Sequence, residues 1–247
     1  MSLAEHLIEF RKRLLIAAAG LLVGMIIAFV ITDPVIHFLT GPIRVLDSAN
    51  AQLMITTITG GFDLRMRMAV SIGLILSAPI WLWQLWAFIM PGLTRKEIRY
   101  TIGFVAAAIP LFVLGGLTAI YVAPNVITVM SSIIPADTVN FFAAKEYYDF
   151  ILKFVLAIGV GFVIPVFLVA LNLAGVMSGR AILRAWRPAV LIATLFAAIT
   201  TPAMDAFSML LLAGILVLLY FAAALLTVLL DRIKNKKDPL RAEREAI

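Results

Sequence analysis

The sequence contains no cysteine and little charge for its length. Disulfide bonds and thiolate-held metal sites are therefore excluded. Asp, Glu, Lys and Arg make up 14% of the 247 residues, whereas a soluble domain carries about 25%. The chain also lacks a His-Glu-x-x-His motif, a Gly-x-Ser-x-Gly motif and a glycine-rich phosphate loop. These absences predict a protein that is neither an enzyme nor dependent on a cofactor.

Long apolar runs dominate what is present. Hydrophobic residues make up 63% of the chain, and the mean hydropathy is +1.08. A helix needs roughly 20 apolar residues to cross a hydrocarbon core of about 30 Å. The first run is too long for the apolar part of a signal peptide, so we interpret it as a retained span. The pattern predicts an all-α polytopic membrane protein with six transmembrane helices, in the uncharged runs 14–32, 68–94, 100–136, 154–179, 188–204 and 206–230.

The basic residues indicate the orientation of these spans. If the N-terminus is cytoplasmic and the spans alternate, 15 of the 20 Lys and Arg residues fall on the cytoplasmic side. Excess Lys and Arg in short loops marks the cytoplasmic face of a membrane protein. We therefore predict a multi-pass protein of the cytoplasmic (inner) membrane with both termini inside. The membrane also explains the net charge of +6 better than a nucleic acid does. His6 and His37 then lie on opposite sides and cannot share a metal ion.

We expect one six-helix transmembrane domain over residues 1–232 and a flexible, charged cytoplasmic tail over 233–247. Two longer segments, 33–67 and 123–153, are predicted to face out. The first is predicted to turn repeatedly at Pro34, Gly41-Pro42 and Gly60-Gly61, and the second contains Pro124 and Pro135 and then a charged stretch, 145–149, that can start a helix. Prolines inside the spans, such as Pro79, predict kinked helices and a cupped arrangement. The fifth run, of 17 residues, is short for a bilayer.

Charged residues lie at the ends of the spans and not in their centres, which argues against a conventional small-solute transporter. Glu9 and Arg13 are four residues apart on a predicted helix and can pair, in what is either an interfacial anchor or a binding surface. Glu97 completes a capping box with Thr94, or receives an arginine from an incoming chain. Asp205 can cap the sixth helix, or act functionally in its hairpin. Trp81, Trp83, Trp86 and Phe88 resemble an aromatic belt.

Together these clusters resemble the TatC family, the multispan receptor subunit of the twin-arginine protein translocase. The resemblance covers most of the chain. It is carried by HLIEFRKRLL at 6–15, PIWLWQLWAFIMPGLTRKE at 79–97, GFVIPV at 161–166 and RPAVLIATLFAAITTPAMDAFS at 187–208.

The resemblance implies a glove-like six-helix receptor that binds twin-arginine signal peptides of folded precursors. It implies export driven by the proton motive force, with TatA/TatB-type single-span partners in homo- and hetero-oligomers. Glu97, Glu9 and Arg11 would form the signal-peptide site. Phe62, Pro42 and Asp205 would be functional on the outer face. The chain departs from the family at Val163, where many members carry Glu or Gln.

Two other functions remain open at the level of the residues. A secondary transporter would move a small solute by itself, although no charged group lies in the centre of a span. A scaffold or insertase would bind partner helices whether or not a twin-arginine motif is present. Comparing the proteins that co-purify with and without a twin-arginine precursor separates all three.

Overall fold

The computed structural model describes residues 3–45, 51–89, 95–132, 140–201 and 206–237. The prediction of an all-α membrane protein is confirmed, since helices account for almost all of these residues. The elements are α1 (Leu3–Val45), β1 (Ala51–Met54), α2 (Gly60–Leu76), α3 (Ala78–Ile89), α4 (Arg95–Ser132), β2 (Asn140–Ala143), α5 (Ala144–Leu173), α6 (Gly179–Arg184), α7 (Trp186–Thr200) and α8 (Ala206–Lys237).

The first helix continues well beyond the predicted span. α1 contains 43 residues and includes Pro34 and Gly41-Pro42, so the turns predicted at these positions are wrong. A proline removes only one backbone donor, and contacts with α5 hold the far part of α1 in place. Tyr147 Oη donates to the Leu39 carbonyl at 2.6 Å, and the Tyr148 and Thr40 hydroxyls lie 2.8 Å apart.

The second span is a bent pair of helices. α2 and α3 meet at Ser77 and differ in direction by 57°, as the proline at position 79 predicted. The bend interrupts the helical hydrogen bonds around the Leu74 carbonyl. Trp81 Nε1 donates to that carbonyl at 2.9 Å, and Ser77 Oγ donates to it at 3.3 Å. Because hydrocarbon offers no water to an open carbonyl, these two side chains allow the bend within the membrane.

α5 lies at the centre of the helix packing. It contacts α2, α4, α7 and α8, and its Phe154 and Ile158 side chains are completely buried. Glycines permit close approach elsewhere. A Cβ on Gly73 of α2 would lie 2.7 Å from the Met25 backbone nitrogen of α1. These helices therefore touch through their backbones, as small residues allow in membrane proteins.

The number of membrane crossings stays a prediction. Among the described residues, four helices are each long and apolar enough to span a bilayer, and the bent pair is a fifth candidate. The fifth predicted run corresponds to α7, which has 15 residues and a length of about 22 Å. α8 runs to Lys237 and so passes the predicted start of the tail. Residues 238–247 lie outside the described residues.

The two predicted outer segments pair with each other. β1 and β2 form a parallel two-stranded sheet, with Ala51 opposite Asn140 and Met54 opposite Ala143. α5 begins directly after β2, at the charged stretch that the sequence indicated as a helix start. The sheet therefore joins the connection after α1 to the connection before α5.

A carboxylate fastens the connection between α5 and α6 to the end of α8. Asp231 accepts hydrogen bonds from Asn172 Nδ2 at 2.8 Å and from the Gly179 backbone N–H at 2.6 Å. Gly179 lies so close to α8 that a Cβ there would be 2.6 Å from the Val228 backbone nitrogen. Asn172 is 3% exposed. A single acidic side chain thus anchors this loop.

Candidate functional site

The side of the molecule where α1 begins, called the N-terminal side below, holds an acidic residue beside an aromatic cluster. Glu9 and Arg13 form the predicted pair, with Arg13 Nη2 2.6 Å from Glu9 Oε1. His6 stacks on Phe88 of α3 with ring centroids 4.6 Å apart, and Phe10 lies 5.2 Å from the same ring. The start of α1 therefore packs against the end of α3 instead of lying free on the membrane surface.

Glu9 keeps hydrogen-bonding capacity after it pairs with Arg13. Its Oε2 atom is buried and, within the described part of the chain, accepts no hydrogen bond. The Glu9 side chain as a whole is 21% exposed. A carboxylate oxygen in this state gains more from an incoming donor than one already solvated by water. Arg11 is exposed and points away from the pair, because residues two apart do not share a helix face.

An apolar groove of about 210 Å³ continues from the Glu9–Arg13 pair toward the membrane. Its walls are the facing surfaces of α1 and α3, with Gln84 as one polar group in the wall. The groove is lined by Phe10, Arg13, Leu14, Ala17, Trp81, Gln84, Leu85 and Phe88. The site thus combines a carboxylate with an adjacent apolar surface.

Glu97 lies in the first turn of α4, which begins at Arg95. That start agrees with the capping-box prediction, and a carboxylate in a first turn is favoured by the helix dipole. The Glu97 side chain and the whole of Thr94 fall outside the described residues. Contact between Glu97 and Glu9 therefore stays a prediction.

The opposite side of the molecule carries an exposed aromatic ring and a set of ion pairs. Phe62 lies near the start of α2 and is 67% exposed. Arg65 pairs with Asp33 of α1, and a separate group of ion pairs links α2 to α5. In that group Arg67 is 3.0 Å from Asp63 and 3.5 Å from Asp149, and Lys145 is 3.3 Å from Asp63.

Two other predicted outer residues are less well placed by the structure. Pro42 lies within α1, but its side chain is outside the described residues, as is Asp205 entirely. The structure brings Phe62 near Asp33 and Arg65, which line the same cavity. The roles of Phe62, Pro42 and Asp205 stay predictions.

A comparison with protein families decides what this architecture is. The family model for the Sec-independent protein translocase protein TatC matches residues 5–214. The chain belongs to the TatC family.

Relatives and solved structures extend this match over nearly the whole chain. The TatC of Xylanimonas cellulosilytica is 40% identical over 96% of this chain and 87% of its own length. The TatC of Rothia mucilaginosa is 33% identical over 96% and 82%. A crystal structure of the twin-arginine translocase receptor TatC in the detergent DDM is 30% identical with a TM-score of 0.81, covering 90% of this chain and 99% of that one.

Membership in the TatC family gives the general function. The chain is a multi-pass membrane component of Sec-independent (twin-arginine) protein translocation, a transport role and not a catalytic one. The TatC name also implies a Tat system with other components. The small-solute transporter and the general scaffold are thereby set aside.

The departure at Val163 has a structural counterpart. Val163 of α5 packs against a small apolar cluster formed by Ala78 and Leu82 of α3 and Phe112 of α4. A glutamate or glutamine at this position would place a polar group among these apolar side chains, which cannot form hydrogen bonds with it. In this TatC the position therefore joins three helices by apolar contact.

The aromatic-belt interpretation of the α3 tryptophans is only partly right. Trp83 is 43% exposed, as a belt residue would be, but Trp86 is 8% exposed and Trp81 is half-buried. Trp86 packs edge-on against Phe167 of α5, with centroids 5.6 Å apart. Phe88, which the sequence grouped with the belt, instead contacts the N-terminal cluster. Phe88 lies seven residues, or about two helical turns, after Trp81, so the sequence indicated that the two side chains share a helix face.

Proposed function

We propose that this TatC protein binds twin-arginine signal peptides on its N-terminal side and exports folded precursors across the cytoplasmic membrane. In this proposal Glu9 and Glu97 receive the arginines, and Arg11 belongs to the same recognition surface on an adjoining face of α1. The N-terminal side is the cytoplasmic side, with both chain termini inside, as the excess of Lys and Arg there favours.

The observation that carries the proposal is the state of the Glu9 carboxylate. One oxygen is bonded to Arg13, and the other is buried without a hydrogen-bond donor among the described residues. A guanidinium presents several N–H donors in a planar fork that suits a carboxylate. An arginine from a peptide can supply the missing donor to Oε2, or take over Arg13's place on Oε1.

The surroundings of Glu9 favour a peptide over a free cation. The apolar groove between α1 and α3 adjoins the Glu9–Arg13 pair through Arg13, which lines it, so side chains that flank the arginines can find apolar contact there. Glu97 lies in the first turn of the neighbouring helix α4, and in this proposal it supplies a second carboxylate. Two carboxylates match two consecutive arginines in charge.

Transport in this proposal needs further components. TatA/TatB-type single-span proteins associate with the helix bundle, and the proton motive force drives export without nucleotide hydrolysis. On the outer face, Phe62, Pro42 and Asp205 act in the later stages, after the peptide has bound. The exposed ring of Phe62 offers an apolar contact for a partner.

Peptide binding by Glu9→Gln in detergent tests the recognition step. Replacing the carboxylate by an amide removes a charge-assisted hydrogen bond, so we expect the affinity for a twin-arginine peptide to fall by about tenfold, or about 1.4 kcal/mol. Glu97→Gln is expected to behave alike. Preference for twin-arginine over twin-lysine peptide is the second measurement, because lysine lacks the fork.

Glu146→Gln is the matched control, since Glu146 is an exposed glutamate on the opposite side, in the first turn of α5. It should leave peptide affinity unchanged. Recognition through Glu9 is wrong if Glu9→Gln binds the twin-arginine peptide as tightly as the parent protein does. Export is checked separately, with a folded precursor and inverted membrane vesicles, with and without an uncoupler.

A further inference from the structure

A cavity of about 580 Å³ lies on the side opposite the N-terminal cluster, between α1, the start of α2 and the start of α5. Most of its wall is apolar and includes Phe29, Ile36 and Leu64. Its charged groups are Asp33 and Arg65, which form an ion pair between α1 and α2. Signal-peptide recognition, proposed for the other side of the molecule, makes no use of this cavity.

The length of the uncharged part of α1 fixes the depth of this ion pair. Residues 14–32 separate Arg13 from Asp33, and these 19 residues span about 28 Å as a helix. That is close to the hydrocarbon thickness of a bilayer, about 30 Å. Arg65 precedes the uncharged run 68–94 in the same way. Both charges therefore lie where acyl chains meet phospholipid head groups.

The ion pair lies at the surface of the helix bundle and not in its interior. The Asp33 side chain is 62% exposed and that of Arg65 is 39% exposed. One turn earlier on α1, Val30 is 76% exposed, and on α2 Phe62 is 67% exposed. Apolar residues this exposed at the membrane boundary contact acyl chains. The two charges beside them are consequently next to lipid head groups.

Within the described residues, Asp33 and Arg65 leave much of their hydrogen-bonding capacity unused. Their pairing uses Arg65 Nη2 and Asp33 Oδ1, which leaves the rest of the guanidinium fork and the second carboxylate oxygen. The guanidinium carbon also lies 5.6 Å from the centre of the Phe29 ring, which supports it from below. Arginine binds phosphate through this fork, and a carboxylate binds an ammonium group.

We propose that this cavity binds a phospholipid whose head group carries both a phosphate and a primary ammonium. The phosphate contacts Arg65, the ammonium contacts Asp33, and the upper acyl chain fills the apolar part of the cavity. Such a zwitterionic head group matches a neighbouring acid and base, whereas a purely anionic head group leaves Asp33 opposed to its charge. The occupied site joins α1 to α2 through a lipid.

Arg67 provides a matched control two residues away. Its Nε atom lies 3.0 Å from both carboxylate oxygens of Asp63, and its Nη1 lies 3.5 Å from Asp149 Oδ2. Its side chain is 43% exposed, close to the value for Arg65. Because these protein carboxylates already occupy Arg67, its removal should not affect the lipid.

The test counts lipids retained by the full-length protein. The protein is reconstituted with equal parts of phosphatidylethanolamine and phosphatidylglycerol, extracted into mild detergent and examined by native mass spectrometry. The parent protein should retain phosphatidylethanolamine about tenfold over phosphatidylglycerol. Arg65→Gln should lower retention of phosphatidylethanolamine by about tenfold, and Arg67→Gln should leave it unchanged. Water-soluble glycerophosphoethanolamine should fail to displace the retained lipid, because it lacks the acyl chain.

Asp33→Asn keeps the test decisive if Arg65→Gln fails to fold. It should abolish the preference for phosphatidylethanolamine, because the ammonium loses its partner while the phosphate keeps Arg65. Equal retention of the two lipids by the parent protein would overturn the proposal. So would an unchanged preference in Asp33→Asn, equal losses in Arg65→Gln and Arg67→Gln, or displacement by glycerophosphoethanolamine.

Discussion

Replacing Asp231 by alanine should destabilise the protein more than any conservative change at that position. Asp231 accepts hydrogen bonds from Asn172 Nδ2 at 2.8 Å and from the Gly179 N–H at 2.6 Å. Truncation to alanine removes both acceptors at once. The Asn172 side chain, which is 3% exposed, then retains one bond, from Nδ2 to the Met177 carbonyl at 3.2 Å.

The expected magnitude follows from these two bonds. A hydrogen bond to a charged group contributes roughly 1.5–3 kcal/mol, and side-chain bonds in membrane proteins average about 0.6 kcal/mol. The energy of each Asp231 bond lies between these figures, at about 1.5 kcal/mol, because the site is part-buried at the end of a span. We expect Asp231→Ala to cost about 3 kcal/mol in total. At about 3 °C per kcal/mol for a chain of this size, the melting temperature falls by about 9 °C.

Asp231→Asn provides the sharper comparison. The introduced amide keeps one oxygen for the Gly179 N–H. Its new NH₂ group can donate to Asn172 Oδ1, which is buried and has no hydrogen-bond partner among the described residues. This requires the Asn172 amide to turn over, which exchanges its oxygen and nitrogen. The turned amide gives up its bond from Nδ2 to the Met177 carbonyl, while the other two hydrogen bonds keep a counterpart. We therefore expect a loss of about 1 kcal/mol, well below that of Asp231→Ala.

Thermal unfolding followed by circular dichroism in detergent measures both variants. Arg232→Ala is the control, because Arg232 is the exposed neighbour of Asp231 on α8 and its loss leaves the bonds of Asp231 in place. Equal melting temperatures for Asp231→Ala and Asp231→Asn would refute the assigned role of the two hydrogen bonds. A large loss in Arg232→Ala would point instead to general charge at the end of the helix.

Two further substitutions test the packing of the second span. Trp81→Phe removes the donor to the Leu74 carbonyl at the bend and should lower stability by about 1 kcal/mol. Trp83→Phe, at an exposed position, should change little, and equal losses by thermal melting would contradict the reasoning. Gly73→Ala places a Cβ 2.7 Å from the backbone of α1 and should cost about 2 kcal/mol. Gly103→Ala is the control, because a Cβ at this position has no atom within 4 Å and should stabilise its helix slightly. Similar melting temperatures for Gly73→Ala and Gly103→Ala would argue against close α1–α2 contact.

Most of what the sequence predicted about the fold came from its uncharged runs and the charges that flank them. They predicted an all-α membrane protein, the bend near Pro79 and the short fifth apolar helix, because hydropathy and proline act locally. The Glu9–Arg13 pair was predictable for the same reason, since its two members lie one helical turn apart. The structure contains the bend between α2 and α3 and the Glu9–Arg13 pair at the predicted positions.

Long-range contacts account for what the sequence did not show. Pro34 and Gly41-Pro42 indicated turns, but α1 continues because hydroxyl groups of α5 hold it. Trp81 looked like a belt residue, and only the fold reveals that its indole faces the open Leu74 carbonyl. The hydrogen-bond partners of Asp231, Gly179 and Asn172, lie 52 and 59 positions away in the sequence. A local sequence pattern cannot predict contacts at such separations.

The length of α1 has a mechanical consequence. Its 43 residues form a rod of about 64 Å, roughly twice the hydrocarbon thickness. Glu9 lies near one end of this rod, and Thr40, which bonds to Tyr148, lies near the other. A tilt of about 5° moves one end by about 6 Å relative to the other for a rod of this length. If a peptide displaces the start of α1, the stiff helix transmits that movement to Thr40 and so to its contact with Tyr148 of α5.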